Sequence, residues 1–204
     1  MVTRLAQRVA LLIDTQNMYH SAKHIHNTRL AFSKLVDLIA ADRPIIRAIA
    51  YVAKSKTGEE QSFFEALHGA GIELKIKDVQ EFAGGQKKAD WDVGMAVDAI
   101  KLGEKVDVIV LITGDGDFVP LVEYLHGHGV IVEVAAFAES TNAQLKAVAD
   151  RFIDISTEGR ECLMGSKSPR SETSKPPVNT EAEQDENKPK GGKRGPTRRV
   201  RVSY

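Results

Sequence analysis

Arg8-Val-Ala-Leu-Leu-Ile13 runs straight into Asp14-Thr-Gln-Asn17, and Asp107-Val-Ile-Val-Leu-Ile-Thr113 runs into Gly114-Asp-Gly-Asp-Phe118. Each apolar run is continuous rather than alternating and rich in branched aliphatics, the pattern of a strand buried on both faces. Such strands belong to parallel sheets covered by helices, so these two stretches decide the fold. In parallel α/β sheets, ligands and catalytic groups collect at the carboxyl ends of the strands, above all where the strand order reverses. Both runs break there into acids: Asp14 after the first, Asp115 and Asp117 after the second. Carboxylates gathered at one edge repel one another unless a cation or protons offset their charge. A hard divalent metal ion is the natural counter-charge, and a metal among carboxylates points to phosphate chemistry.

The rest of the chain alternates helix and strand signals. Helical stretches are predicted over 16–25 and 32–42, the second with Leu35, Leu38 and Ile39 on one face. A strand follows over 44–52, then a helix over 59–71 with Phe63, Phe64 and Leu67 on one side and a glycine stop. Residues 72–77 alternate cleanly and read as an edge strand, and 82–88 as a glycine-bearing loop. Helices over 90–104, 117–128 and 140–150 then alternate with strands over 107–113, 130–137 and 152–155. Strands separated by helices pair in parallel through right-handed crossovers. The expected architecture is a three-layer α/β/α fold with a mainly parallel sheet.

Of the 204 residues, 42% are hydrophobic, enough for a globular core. No apolar run approaches the roughly 18 residues of a membrane span. Cys162 is the one cysteine, so neither a disulfide framework nor a cysteine zinc site is available. The N-terminal residues lack a signal peptide's apolar region, and a cytoplasmic location is expected. The 28 basic and 28 acidic residues are unevenly placed: 165–204 hold 10 basic and 5 acidic, leaving 1–164 with 18 against 23. After Ser166 the composition turns to Ser, Pro, Gly, Lys and Glu, which bury too little apolar surface to offset their ordering entropy. The chain therefore divides into a folded domain over 1–160 and a disordered basic tail over 161–204.

Each acid also has a plainer reading. Asp14 suits the N-cap of the helix after it, and Asp117 that of helix 118–128, whereas a cap explains Asp115 less well. Glycines on both sides of Asp115 let the backbone turn tightly and a ligand approach. Asp90 and Asp92 could complement a helix macrodipole. Yet Asp92 heads a stripe with Met95, Ala96 and Ala99, an odd place for a solvated acid. Asp98 lies about 120° around that helix, where a structural hydrogen bond is the stronger reading. Lys87 and Lys88 are either surface lysines or phosphate holders. The six histidines form no ligand pattern.

Together these residues resemble the NYN domain family, in particular its LabA-like branch, within the PIN-like nuclease superfamily. The resemblance covers about residues 8–156. It rests on a strand leading into Asp14-x-x-Asn17, on Lys88-x-x-x-Asp92-Val followed by Ala96-Val-Asp98-Ala, on Thr113-Gly-Asp-Gly-Asp-Phe118 with Pro120, and on Ala149-Asp150-x-Phe152. Trp91 fits the hydrophobic position before the helix aspartate, while the family's serine near the last helix falls in Ser140-Thr141-Asn142. The resemblance implies a ribonuclease that uses Mg²⁺ or Mn²⁺, with Asp14, Asp92, Asp115 and Asp117 as catalytic and metal-binding acids. Support at the site is expected from Asn17, Lys88, Thr113 and Asp98, and RNA is the implied partner. The rival is a PIN-like shell that binds RNA or protein without cleaving, but such a shell is expected to lose acids. A haloacid-dehalogenase phosphatase needs a second Asp where Gln16 stands, and no G-x-G-x-x-G follows the first strand for a dinucleotide.

From Lys188 to Arg201 lie seven basic residues and no acid: Lys188, Lys190, Lys193, Arg194, Arg198, Arg199 and Arg201. An acidic body repels RNA at long range, so a basic arm would supply the encounter, through contacts that release counterions. Truncation after Ser166 is expected to lower RNA affinity and flatten its salt dependence while leaving cleavage chemistry intact. Binding titrations of both forms at two salt concentrations check this, and equal slopes would remove the tail from RNA capture.

Overall fold

In the computed structural model the described residues are 6–54, 60–81, 87–88 and 90–164, with 80, 81, 87 and 88 described in backbone only. The basic segment from Lys188 to Arg201, the stretch 82–86 and the start of the helix expected over 59–71 lie outside them. The elements are β1 (Val9–Asp14), α1 (Thr15–His26), β2 (Arg29–Leu30), α2 (Phe32–Ala40), β3 (Ile45–Lys54), α3 (Gln61–Gly69), β4 (Glu73–Asp78), β5 (Gln80–Glu81), β6 (Lys87–Lys88), α4 (Asp92–Gly103), β7 (Val108–Ile112), α5 (Val119–Gly127), β8 (Ile131–Ala136), α6 (Ala143–Val148), β9 (Arg151–Asp154) and β10 (Leu163–Met164). A 3-10 turn, Gly116–Phe118, leads into α5.

The six-stranded sheet has the order β4-β3-β1-β7-β8-β9. Every neighbouring pair in it is parallel. The chain winds from β1 outward to β3 and β4, then returns through α4 and winds the other way through β7, β8 and β9. The order therefore reverses between β1 and β7, whose registers match from Val9↔Val108 to Ile13↔Ile112. Residues 9–13 and 108–112 are wholly buried, as strands covered on both faces must be. Side chains alternate across β1: Val9, Leu11 and Ile13 pack with Met18, Leu35, Ile39 and Leu67 of the first three helices. Ala10 and Leu12 pack with Met95, Ala99, Val122 and Leu145 of the last three. The fold is thus the expected α/β sandwich around a parallel sheet, with β4 at one edge and Ile76 half exposed there. No described helix is long and apolar enough to cross a membrane.

The differences from expectation are local. The antiparallel pairs β10–β2 (Leu163↔Leu30) and β5–β6 (Gln80↔Lys88) were not foreseen, because two-residue strands carry no periodicity. The helix expected over 140–150 shrinks to Ala143–Val148, where the Asn142 side chain caps it. The helix expected over 117–128 opens as the 3-10 turn, and α5 follows from Val119 with Pro120 in its first turn.

One buried charge pair fixes the turn between α2 and β3. Ala41 and Asp42 both take left-handed backbone angles, φ 47° and 64°, a strained conformation for residues with a Cβ. Arg43 follows, its side chain fully buried, and donates to the Ala40 and Ile39 carbonyls at 3.0 and 2.8 Å. It also makes a bidentate pair with Glu133 of β8 at 2.9 and 2.8 Å. Removing one member of such a pair strands the other charge in the core. Arg43→Met is expected to cost about 3–5 kcal/mol in denaturant unfolding, and the double change Arg43→Met with Glu133→Leu to recover part of it. A single-variant loss below about 1 kcal/mol would show the pair to be solvated.

Candidate metal centre

The reversal point places the loops after β1 and β7 side by side, and hydrogen bonds join them. Asp14 ends β1 and accepts the Asn17 N–H at 3.0 Å through Oδ1, capping α1. Its Oδ2 accepts the hydroxyl of the fully buried Thr113 at 3.2 Å. That same Thr113 oxygen accepts the Asp115 N–H at 3.3 Å. Asn17 closes the ring by accepting the Gly114 N–H at 3.0 Å. Asp115 Oδ1 accepts the Asp117 N–H at 3.0 Å. The cap of the 3-10 turn is therefore Asp115, not Asp117, which corrects the expectation; the two-residue reach of an aspartate suits the tighter turn.

A third loop, after β8, presses on the glycines. A Cβ at Gly114 would lie 3.1 Å from Thr141 Oγ1, and one at Gly116 only 2.5 Å from Asn142 Nδ2. Asn142 donates its N–H to the Gly114 carbonyl at 2.9 Å and caps α6 by accepting from Gln144 and Leu145. These glycines serve close backbone packing, and that packing aims Asp115 and Asp117 outward.

Asp92 arrives from α4, and Trp91 positions it. The indole N–H donates to the Val52 carbonyl at 3.0 Å, and the ring meets Tyr51 edge-on at 5.5 Å. Met95 and Ala99 are buried beneath, so the half-buried Asp92 faces inward at the head of the helix. Its N–H donates to Asp90 Oδ1 at 2.9 Å. Carboxylate oxygens of Asp92, Asp115 and Asp117 all lie within 4.8 Å of one another. Asp14 stands in the same electrostatic field, since its charge acts on Asp92 and that of Asp115 acts on Asp14.

The field shows in the proton affinities. Burial raises Asp14 above the ordinary aspartate range, opposed by the Asn17 N–H and the Thr113 hydroxyl. Asp92 is pushed up to about 6, first by burial, then by a hydrogen bond with Asp90, and then by the charges of Asp90, Asp115 and Asp14. Burial leads in both, and the neighbouring acids add to it, so a cation placed among them would offset both costs. The donors are all oxygens, suited to Mg²⁺ or Mn²⁺ rather than a soft metal.

The other expected site residues divide. Asn17 and Thr113 lie in the joined loops and hold Asp14. Asp98 does not reach the cluster: it accepts the Tyr51 hydroxyl at 2.7 Å and pairs with Lys75 at 2.5 Å. Against the cost of burial, Lys75 and Tyr51 hold its carboxyl below the usual range. The physical reason is helical geometry, which points a residue six places on about 120° away from Asp92. Lys88 pairs with Gln80 in β5–β6, and its side chain lies outside the described atoms. Asp90, read from the sequence only as a macrodipole partner, turns out to touch Asp92; its place two residues before a helical aspartate was the available signal.

Stability should report this charge. Between the ordinary aspartate value near 4 and about 6, the folded protein binds more protons at Asp92 than the unfolded chain does. Stability then falls as pH rises through that window. Asp92→Asn removes the slope, so the stability of the variant relative to wild type is expected to climb from pH 4 to pH 6 in EDTA. Thermal unfolding of both proteins across that range checks it; a flat difference would mean that the carboxylates are fully screened by water.

Residues 8–156 match the NYN domain. The low amplitude and bright protein LabA of Synechococcus elongatus is 27% identical over 157 residues, spanning 72% of this chain and 83% of its own length. The uncharacterized protein MJ0482 of Methanocaldococcus jannaschii is 29% identical over 153 residues, 74% of this chain and 56% of that one. A solved structure from Vibrio parahaemolyticus, the protein of unknown function VPA0982, superposes with a TM-score of 0.72 at 28% identity. It is covered over 100% of its length, against 80% of this chain. With a match running from the first strand past the last strand of the sheet, the chain belongs to the NYN domain family, within the PIN-like nuclease superfamily, and LabA is among its relatives.

Proposed function

We propose that the protein is a metal-dependent ribonuclease that hydrolyses RNA phosphodiester bonds, with Asp14, Asp92, Asp115 and Asp117 as its metal-holding acids. The observation that carries this reading is the meeting of Asp92, Asp115 and Asp117 oxygens within 4.8 Å, beside Asp14, where the strand order reverses. When bound there, Mg²⁺ or Mn²⁺ would activate water and offset charge on the scissile phosphate.

The chain's own residues divide the remaining work. Thr113 and Asn17 fix the orientation of Asp14, so that its carboxylate does not swing toward solvent. Asp115, through its cap, holds the turn that presents Asp117, which is exposed and within reach of a polymer. Asp92 keeps its proton up to about pH 6 and must shed it before serving as an anionic ligand. Cation affinity should therefore weaken below that pH. A shell that only bound RNA would have no use for four acids whose mutual repulsion disfavours a polyanion, which supports the enzyme over the binding module.

Incubation of the protein with labelled single-stranded RNA should give cleavage with Mn²⁺ and none with EDTA. Asp115→Asn keeps an oxygen to accept the Asp117 N–H but removes a charge. It is expected to lose at least about 100-fold in rate, the worth of several kcal/mol at the transition state, and to be no less stable without metal. Cleavage that survives both EDTA and the variant would sink the assignment, and a marked loss of thermal stability would make Asp115 a structural residue.

A further inference from the structure

Beside the acidic centre lies a cavity of about 520 Å³ between α1, the end of β3, β2 and α3. That volume falls in the range of small-molecule and nucleotide sites, roughly 300–1,000 Å³. Two connections tie its wall to the acids. Thr15 and Gln16, which line it, directly follow Asp14, and Val52, which also lines it, holds the indole of Trp91 immediately before Asp92. The backbone that carries Asp14 therefore continues into the wall of the cavity, and a wall residue, Val52, anchors the indole that precedes Asp92.

Its lining has the mixed character of a site for a base and its backbone. Tyr19 is 55% exposed, and His20 meets its ring edge-on at 5.7 Å. Phe63 contributes a second ring, held by Phe32 at 5.7 Å. Gln16, Ser62 and Glu60 offer hydrogen-bonding groups, and Arg29 a guanidinium. A carboxylate in the wall disfavours a phosphate inside but accepts the amino edge of a base. Arg29 suits the adjoining phosphate, and bases stack on aromatic rings whatever their sequence.

We propose that this cavity receives one unstacked base of single-stranded RNA, with Tyr19 as stacking face and Arg29 on the backbone, and so positions the neighbouring phosphate at the acidic centre. This rests on the ribonuclease reading and names how the substrate is seated. It also makes the protein a reader of single strands, because a base paired in a duplex cannot leave its stack to enter.

The test is fluorescence anisotropy of the full chain with a short labelled RNA, in EDTA and again on Asp115→Asn with Mg²⁺, conditions in which cleavage is expected to be absent or at least about 100-fold slower. Tyr19→Ala is expected to weaken binding about tenfold, and Tyr19→Phe to bind like wild type. Arg29→Ala should also weaken binding. Abasic substitution at successive positions should find one position that costs wild type the same factor and costs Tyr19→Ala nothing further. Contacts of the basic tail go to phosphates, so they do not depend on the base. Wild-type affinity in Tyr19→Ala, abasic losses equal in both proteins, or no RNA binding at all would overturn the proposal. A protein that cuts RNA yet shows no Tyr19 dependence would refute the cavity alone. One that shows the dependence yet never cuts would refute the nuclease and leave the cavity standing.

Discussion

The parallel pairing of β1 with β7 determines where every other element can go. It joins segments about a hundred residues apart in the chain, in an unbroken register from Val9↔Val108 to Ile13↔Ile112. Because both strands are sealed on both faces, neither can slip by one residue without turning its aliphatic side chains into the wrong helical layer. That constraint brings the two acid-bearing loops to one place. The Thr113 hydroxyl, shared between the Asp14 carboxylate and the Asp115 N–H, then locks them together. The chemistry proposed for this edge follows from strand order, since doubly wound sheets bind ligands where the order reverses.

The acids of α4 show how the fold separates structural from reactive charge. Asp98 is supplied with a partner cation, Lys75, and a hydroxyl donor, Tyr51, and its carboxyl is held ionised. Asp92, on another side of the same helix, has other acids around it and holds its proton up to about pH 6. Both are half-buried aspartates on one helix, and what differs is the sign of the charges that face them. The pair Arg43–Glu133 stands at the other extreme, a charge matched so fully that it stabilises a strained turn in the core. The two described carboxyls whose proton affinity is raised, Asp14 and Asp92, both lie at the reversal point.

The closeness of the cavity to these acids follows from the same connections. The first turn of α1 leaves Asp14 in one direction and lines the cavity in the next residues. Trp91 bridges from Val52 to the head of α4.

Much of this was legible in the chain. Continuous aliphatic runs at 9–13 and 108–112 and helices between strands gave the parallel sheet and its layers, because those signals are local and periodic; acids at strand ends and at one helix start singled out Asp14, Asp92, Asp115 and Asp117 as candidates. Alternation in 72–77 marked an edge strand for the same reason. The short pairs β10–β2 and β5–β6 were invisible, since two residues carry no period and their partners lie far off in sequence. Capping was misassigned between Asp115 and Asp117, because two acids spaced by one glycine compete for one turn and only its tightness selects between them. The engagement of Asp98 by Lys75 and Tyr51, the contact of Asp90 with Asp92, the anchoring of Trp91 on Val52 and the cavity between α1 and α3 all join residues from different elements. Spacing along a chain places a residue on a face of its own helix or strand. What meets that face is set by how the elements pack, and there the folded molecule alone supplied the answer.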